Sequence, residues 1–329
     1  MSIFGKSNKV FGLDIGFEVI KLCELSRHGN SVHVVGLSEI PITERILEKD
    51  RIKNKAATAN LIKEARRKAK PHSISASQIV TALPETFVFS KTIRLPKMSQ
   101  IELQTAAPNE AAQYLPIPVS EVYVDYQILL THPDEPLMDV LIAAAPKRLV
   151  DDYVEMAKMA GLELAALETK PIAAGRALIP EKSNEGIAIL HMGTELSRIS
   201  IWDNGKIRLV TTTAVGKNQI LEFFQASNSS FSDSSKIDLS DTEDLDVGPL
   251  SQIVEAVNEA IRYHQNRGYK PSKIARIEIC GSAALVKNID RYVEKNTKIP
   301  SRIAQPKFRL NQKISPDDIT AFGLALREN

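Results

Sequence analysis

Residues 11–25 read Phe11-Gly12-Leu13-Asp14-Ile15-Gly16-Phe17-Glu18-Val19-Ile20-Lys21-Leu22-Cys23-Glu24-Leu25. An apolar run enters a glycine turn, and a second apolar run leaves it. Such a strand–turn–strand unit has the makings of a phosphate cradle. Gly16 lets the backbone approach a ligand closely, and successive N–H groups of the turn around Phe17 and Glu18 form a concavity for anions. Lys21 adds a point charge, and Asp14 is a candidate to hold the water shell of a metal ion. A hairpin with Asp-x-Gly at its bend and no ligand at all reads the same way, so the rest of the chain decides.

The chain has 329 residues, 43% hydrophobic and 25% charged, which fits a globular protein of one large domain or two. A formal charge of +2 gives no sign of a nucleic-acid binder that works through phosphate contacts. Cys23 and Cys280 sit in apolar, strand-like runs and read as core thiols in a reducing compartment. The first residues, Met1-Ser2-Ile3-Phe4-Gly5-Lys6-Ser7, lack the apolar centre of a signal peptide. No stretch approaches the roughly 18 apolar residues of a membrane span. The expected location is the cytoplasm.

Strands are expected at 10–16, 18–26 and 31–38, then a solvated helix at 56–70. Strands at 79–83 and 86–95 flank Pro84. A helix follows from Ser99 to about Tyr114, with Ser99 as N-cap and Glu102 completing a capping box; Pro116 and Pro118 stop it. Strands at 123–131 and 138–145 enclose a polar loop, 132–136. A helix at 147–160 closes on Gly161, followed by a strand at 162–168 and a helix at 171–178. After residue 185 the opening pattern returns: a strand at 186–190, a turn at His191-Met192-Gly193-Thr194, and strands at 196–202 and 206–214 around an Asn204-Gly205 turn. A helix starts near Lys217. The polar stretch 227–246 reads as a mobile loop. A helix at 247–267, a strand at 273–280 ending in Gly281-Ser282, and a helix at 316–327 complete the chain. A glycine turn after the first strand of each half marks an internal duplication of an α/β unit, and the cleft between the halves is the natural ligand site.

This order of motifs resembles the actin-like ATPase superfamily, in which hairpins from two related lobes close on nucleotide phosphates. Asp14-Ile15-Gly16 through Lys21 resembles the first phosphate hairpin, and His191-Met192-Gly193-Thr194-Glu195 lies where the second belongs. Glu278-Ile279-Cys280-Gly281-Ser282-Ala283-Ala284 resembles the adenosine motif. Within the superfamily the chain is most similar to the PilM family of type IV pilus assembly proteins. The segment that carries this is Leu95-Pro96-Lys97-Met98-Ser99, then Asn109-Glu110-Ala111-Ala112-Gln113-Tyr114-Leu115-Pro116-Ile117-Pro118, then Glu121-Val122-Tyr123-Val124-Asp125-Tyr126. Glu168-Thr169-Lys170-Pro171 fits the connection between lobes, and Gly216-Lys217 with Glu222 fits the helix after the second hairpin.

The resemblance implies a first lobe over 1–180, with an inserted subdomain at about 40–165, and a second lobe over 181–329. It implies ATP and Mg²⁺ as cofactors. The nucleotide would be held by Asp14, Gly16, Phe17, Glu18, Lys21, Gly193, Thr194, Gly216, Lys217, Gly281 and Ser282, and the metal by Asp14. It implies a PilN-like inner-membrane partner, bound through that partner's cytoplasmic N-terminal peptide. Tyr114, Leu115, Pro116, Val122 and Val124 are the candidates for the peptide groove.

The sequence departs from the pattern in three places. His191 stands where an active member has an aspartate, and imidazole suits softer metals than Mg²⁺. The adenosine turn has one glycine, Gly281, followed by Ser282 and Ala283. The insertion of the second lobe, at 223–250, is short and polar, with Lys236 as the candidate for a lysine that packs on the nucleoside. Phosphoryl transfer rests on positioned charge, so the expectation is weak nucleotide binding with little or no hydrolysis, on a scaffold peripheral to the inner membrane through its partner. The other readings are an active ATPase or sugar kinase, and an FtsA-like division protein; against the last, the chain is expected to lack a C-terminal amphipathic anchor after Phe322-Gly323-Leu324-Ala325-Leu326.

Overall fold

Val10–Ile15 and Gly186–Met192 are buried along almost their whole length, and each is the central strand of a sheet. The computed structural model describes residues 9–28, 31–43, 46–48, 51–131, 136–227, 233–240, 247–266 and 271–327. Residues 132–135 of the expected 132–136 loop and much of the 227–246 stretch lie outside the described residues, as do residues 1–8.

Both sheets have the same order. In the first, Ser31–Pro41, Val19–His28 and Val10–Ile15 form an antiparallel meander, and Gln78–Leu83 and Glu163–Thr169 continue it in parallel. In the second, Lys206–Thr213, Ser197–Asp203 and Gly186–Met192 form the meander, and Ile274–Cys280 and Ser301–Ile303 continue it. The crossovers run through helices, as parallel pairing requires: Lys55–Lys68 and Lys147–Met159 in the first, Gly248–Gln265 and Ile289–Thr297 in the second.

The helices form where caps and apolar spacing agree. Asn54 accepts the Ala57 N–H at 3.0 Å, and Arg66, Arg67 and Lys68 favour the negative end of the same helix. Its Ile62 and Ala65 pack with Leu149, Tyr153 and Met156 against Phe11, Leu13 and Ile79 of the first sheet. Helix Gln100–Ala112 starts on the expected Ser99/Glu102 capping box. Its Leu103, Ala107 and Ala111 cover a separate antiparallel sheet, in which Leu137–Pro146 lies between Phe89–Pro96 and Val122–Thr131. Asn204 and Gly205 both have positive φ, as the predicted hairpin turn demands.

Between the two large sheets lie helices Lys170–Leu178 and Ile319–Ala325. Small residues let their backbones meet. A Cβ on Gly323 would collide with the Ala173 backbone, and one on Gly12 with the Ala321 carbonyl and, at 2.6 Å, the Ala325 nitrogen. Phe322, Ala174, Ala177, Ile187, Ile189 and Trp202 complete this central core.

The structure differs from the sequence expectation at two places beside the cleft. The strand expected at 86–95 begins instead with a 3₁₀ turn, Glu85–Phe87, and runs over Phe89–Pro96. Pro84 sits before that turn, with φ fixed at −64°. The final helix expected at 316–327 opens with a 3₁₀ turn, Pro316–Asp318, held by a Ser315/Asp318 capping box. The second turn delivers Asp317 to the cleft, and the first delivers Glu85 to the cleft residue Arg198.

Candidate functional site

Each hairpin folds its turn the same way. Gly16 N–H donates to Val19 O at 2.9 Å, and Gly193 N–H donates to Leu196 O at 3.0 Å. A Cβ on either glycine would lie 2.9 Å from that accepting carbonyl. The register beyond the turn also repeats: Asp14 pairs with Lys21, and His191 pairs with Arg198. The duplication therefore sets two residue pairs face to face across one cleft, at the carboxyl ends of the central strands, where open α/β sheets place their ligands.

The first pair is occupied by the protein's own groups. Asp14 Oδ1 lies 2.7 Å from Lys170 Nζ, and both side chains are largely buried. Burial pushes the Asp14 carboxyl up, but the Lys170 ammonium and then Lys21 outweigh it and hold the group below the usual carboxylate range. Lys21 lies in a cluster of acids. It is ion-paired with Asp317, lies 3.6 Å from Glu39 and 3.9 Å from Asp318, and donates to Asp317 O at 3.3 Å. Burial would lower its pKa; Asp317 and Asp318 reverse that and raise it. Asp318 is pushed up to about 6, by burial first and then by Asp317 and Glu39.

The second pair is different in kind. His191 is buried, its Nε2 lies 3.2 Å from Thr320 Oγ1, and its Nδ1 has no hydrogen-bond partner among the described residues. Burial, then Arg198 and Lys170, depress its pKa to about 3, so the ring is neutral at physiological pH. In the tautomer in which Thr320 Oγ1 donates to Nε2, Nδ1 carries the proton and is a spare donor. Arg198 forms an ion pair with Glu85, and Glu85 also accepts the Lys170 N–H at 2.9 Å. Lys217 opens its helix at the second turn, where its N–H donates to Gly193 O at 2.8 Å. Its side chain crosses to Glu18 of the first turn.

Asp14, Gly16, Phe17, Glu18, Lys21, Gly193, Thr194, Lys217 and Ser282 all line this one cleft. Gly216 and Gly281 back it instead. Gly216 lies under the second turn, where a Cβ would come 2.7 Å from Gly193 O. Gly281, at φ 93°, lies against Met192, where a Cβ would come 2.8 Å from the carbonyl carbon. Sequence reasoning missed Lys170, Arg198 and Asp317 as cleft residues, and Glu85 as the partner that holds Arg198. Arg198 carried a legible signal: it follows His191 by the same offset as Lys21 follows Asp14. The other three carried none, since each acts on a partner remote in sequence.

The residues of the cleft do not suit Mg²⁺, and the cations that could meet a phosphate are each paired with a carboxylate. The turn amides, Lys170, Arg198 and Lys217 converge on the cleft. Mg²⁺ asks for oxygens in near-octahedral array. Asp14, the predicted metal ligand, is instead paired with an ammonium, and the opposing position holds an imidazole. No group of three His, Cys, Asp or Glu able to hold a metal ion occurs among the described residues. The Asp14 carboxylate is the counter-ion of Lys170. Cys23 and Cys280 are buried free thiols, with burial first and nearby acids next pushing both pKa values up.

A second feature is a groove of about 780 Å³ between the small sheet and helix Lys147–Met159. Phe87, Phe89, Leu115, Pro116, Ile117 and Val122 supply its apolar lining, and Arg51, Lys147 and Arg148 its positive charge. Of the residues expected to bind a partner, Leu115, Pro116 and Val122 line it. Tyr114 lies outside, its ring under the Lys91 ammonium at 3.3 Å. Val124 faces a separate apolar cavity against Ile207 and Leu209. Strand Phe89–Pro96 lies at the margin of its sheet, bonded to Leu137–Pro146 on one side.

The family model described as type IV pilus assembly protein PilM matches residues 12–329. Among solved structures, the PilM–PilN type IV pilus biogenesis complex superposes with a TM-score of 0.80 at 21% identity, covering 97% of this chain and 98% of that one. The ethanolamine utilization protein EutJ from Carboxydothermus hydrogenoformans gives 0.57 at 15% identity, covering 96% and 88%. MreB5 of Spiroplasma citri bound to AMPPNP gives 0.51 at 13% identity, covering 97% and 95%. These likenesses place the fold in the actin-like ATPase class.

Proposed function

The chain belongs to the PilM family of type IV pilus assembly proteins, and on that premise we propose that it is a cytoplasmic scaffold that holds the N-terminal peptide of a PilN-like inner-membrane protein. The groove carries this reading. It combines apolar anchors at Phe87, Leu115, Ile117 and Val122 with a sheet edge along Phe89–Pro96. An extended peptide gains main-chain bonds from such an edge and specificity from pockets for alternate side chains. The solved relative is itself a PilM–PilN complex. No helix among the described residues is long and apolar enough to cross a membrane, so contact with the inner membrane runs through the partner.

In this reading the chain has two lobes divided near residue 180, and residues 309–325 return to the first sheet. The cleft between the lobes binds ATP weakly. The repeated glycine turns and the Lys170, Arg198 and Lys217 cations favour triphosphate, but each cation already has a carboxylate partner that the ligand must replace or share. With His191 opposite Asp14, the position that would order water or metal holds an imidazole, the second turn's Glu195 is engaged by the Asn218 amide, and hydrolysis is very slow.

The test is anisotropy of a labelled N-terminal peptide from the PilN-like protein of the same genome. Binding should weaken at least about tenfold, roughly 1.4 kcal/mol, in Leu115→Asp. No binding to the unaltered protein, or equal binding to the variant, refutes the groove assignment.

A further inference from the structure

Lys170 sits where a divalent cation would have to sit to use Asp14. Its ammonium is 2.7 Å from Asp14 Oδ1, in a site where both side chains are nearly closed to solvent. The backbone holds it there. Lys170 opens helix Lys170–Leu178, Pro171 follows it at the helix start, and its N–H is fixed by Glu85, which Arg198 in turn anchors from the second sheet.

We propose that Lys170 is a built-in replacement for the metal ion, so that the cleft takes a nucleoside triphosphate in its metal-free form and Mg²⁺ opposes binding. This inference rests on the reading that the cleft binds nucleotide. An ammonium has three N–H donors, and its ion pair with Asp14 leaves at least two of them for phosphate oxygens. Mg²⁺ entering the site would leave a buried ammonium unpaired, an unfavourable exchange. It would gain a single carboxylate, opposite a neutral imidazole that is a poor ligand for a hard ion. Lys170, Arg198 and Lys217 are the cations of this cleft that a triphosphate would have to share with their carboxylate partners Asp14, Glu85 and Glu18. Lys217 is the cation most easily released, because its partner Glu18 is half exposed.

The experiment is calorimetric titration of the full chain with ATP, once in EDTA and once in millimolar Mg²⁺. Binding in EDTA should be tighter than in Mg²⁺ by roughly threefold or more, as free Mg²⁺ withdraws ATP⁴⁻. In Lys170→Gln the order should reverse, with Mg²⁺ strengthening binding, because Asp14 is then free for a cation. Thermal melting monitors whether that variant folds, and Lys170→Met serves in its place if it does not. Binding by the unaltered protein that requires Mg²⁺ overturns the proposal and leaves the nucleotide reading standing. Absence of binding in both buffers overturns the nucleotide reading, and the proposal with it.

Discussion

The indole of Trp202 lies against the bare backbone of Gly175, so close that a Cβ at 175 would fall inside the ring, 2.6 Å from Cε2 and nearer still to its outer carbons. Trp202 belongs to the second sheet and Gly175 to helix Lys170–Leu178, so this contact joins the two halves of the molecule. Gly175→Ala should therefore destabilise the protein. Alanine gains about 1 kcal/mol of helix propensity, but overpacking against a rigid ring costs about 1–3 kcal/mol or more, and the collision dominates. Urea unfolding should show a lowered midpoint, partly restored by adding Trp202→Phe. An unchanged or raised midpoint refutes the packing argument.

Arg198 and Glu85 form a largely buried ion pair between residues that are 113 positions apart. Removing one partner of such a pair typically costs about 3–5 kcal/mol, whereas replacing both costs much less. Arg198→Met alone should be strongly destabilising, and Arg198→Met with Glu85→Gln markedly less so. A double-mutant cycle measured by denaturation gives the coupling; additive effects would show that the pair contributes no specific interaction.

His191 makes the protein acid-sensitive. Its native pKa, about 3, lies below its ordinary 6.5, with burial the first cause and Arg198 and Lys170 the next. Below pH 6.5 the unfolded chain takes up a proton that the native ring refuses. Its contribution is therefore complete above about 6.5 and falls with pH by about 1.4 kcal/mol per unit. Asp318, pushed up to about 6 by burial first, has the opposite slope: its contribution is complete below its ordinary 3.8 and is lost as pH rises through about 6. Stability profiles of His191→Gln and unaltered protein should converge as pH drops from 7 to 5. Parallel profiles would mean that His191 titrates normally.

The Lys217 side chain is held by Glu18, which in the proposed nucleotide cleft would compete with phosphate for it. The pair is partly exposed, so its own contribution to stability is about 0–1 kcal/mol. Glu18→Gln should tighten ATP binding by about two- to fivefold, and Lys217→Ala should weaken it, with melting temperatures nearly unchanged. Calorimetry in EDTA measures both. Weaker binding in Glu18→Gln would show that Glu18 supports the ligand.

Much of the architecture was legible in local pattern. The two glycine turns, the repeated meander, the Ser99/Glu102 capping box and the Asn204-Gly205 turn each follow from residues within a few positions of one another. The 3₁₀ turns at Glu85–Phe87 and Pro316–Asp318 were missed because the longer elements expected there ran over them.

The cleft's chemistry was decided elsewhere. Taken alone, the sequence determined where the two glycine turns are, since a turn depends on its own backbone and the glycine within it. It could not determine whether Asp14 and Lys21 are free to act, because charge is settled by whatever lies within a few ångströms in space. Lys21 meets Asp317 from 296 residues away, and Asp14 meets Lys170 at 2.7 Å once helix Lys170–Leu178 docks between the sheets. Tertiary packing brought those neighbours in, and with them turned a lysine expected on phosphate into the centre of an acidic cluster and an aspartate expected on metal into the counter-ion of an ammonium.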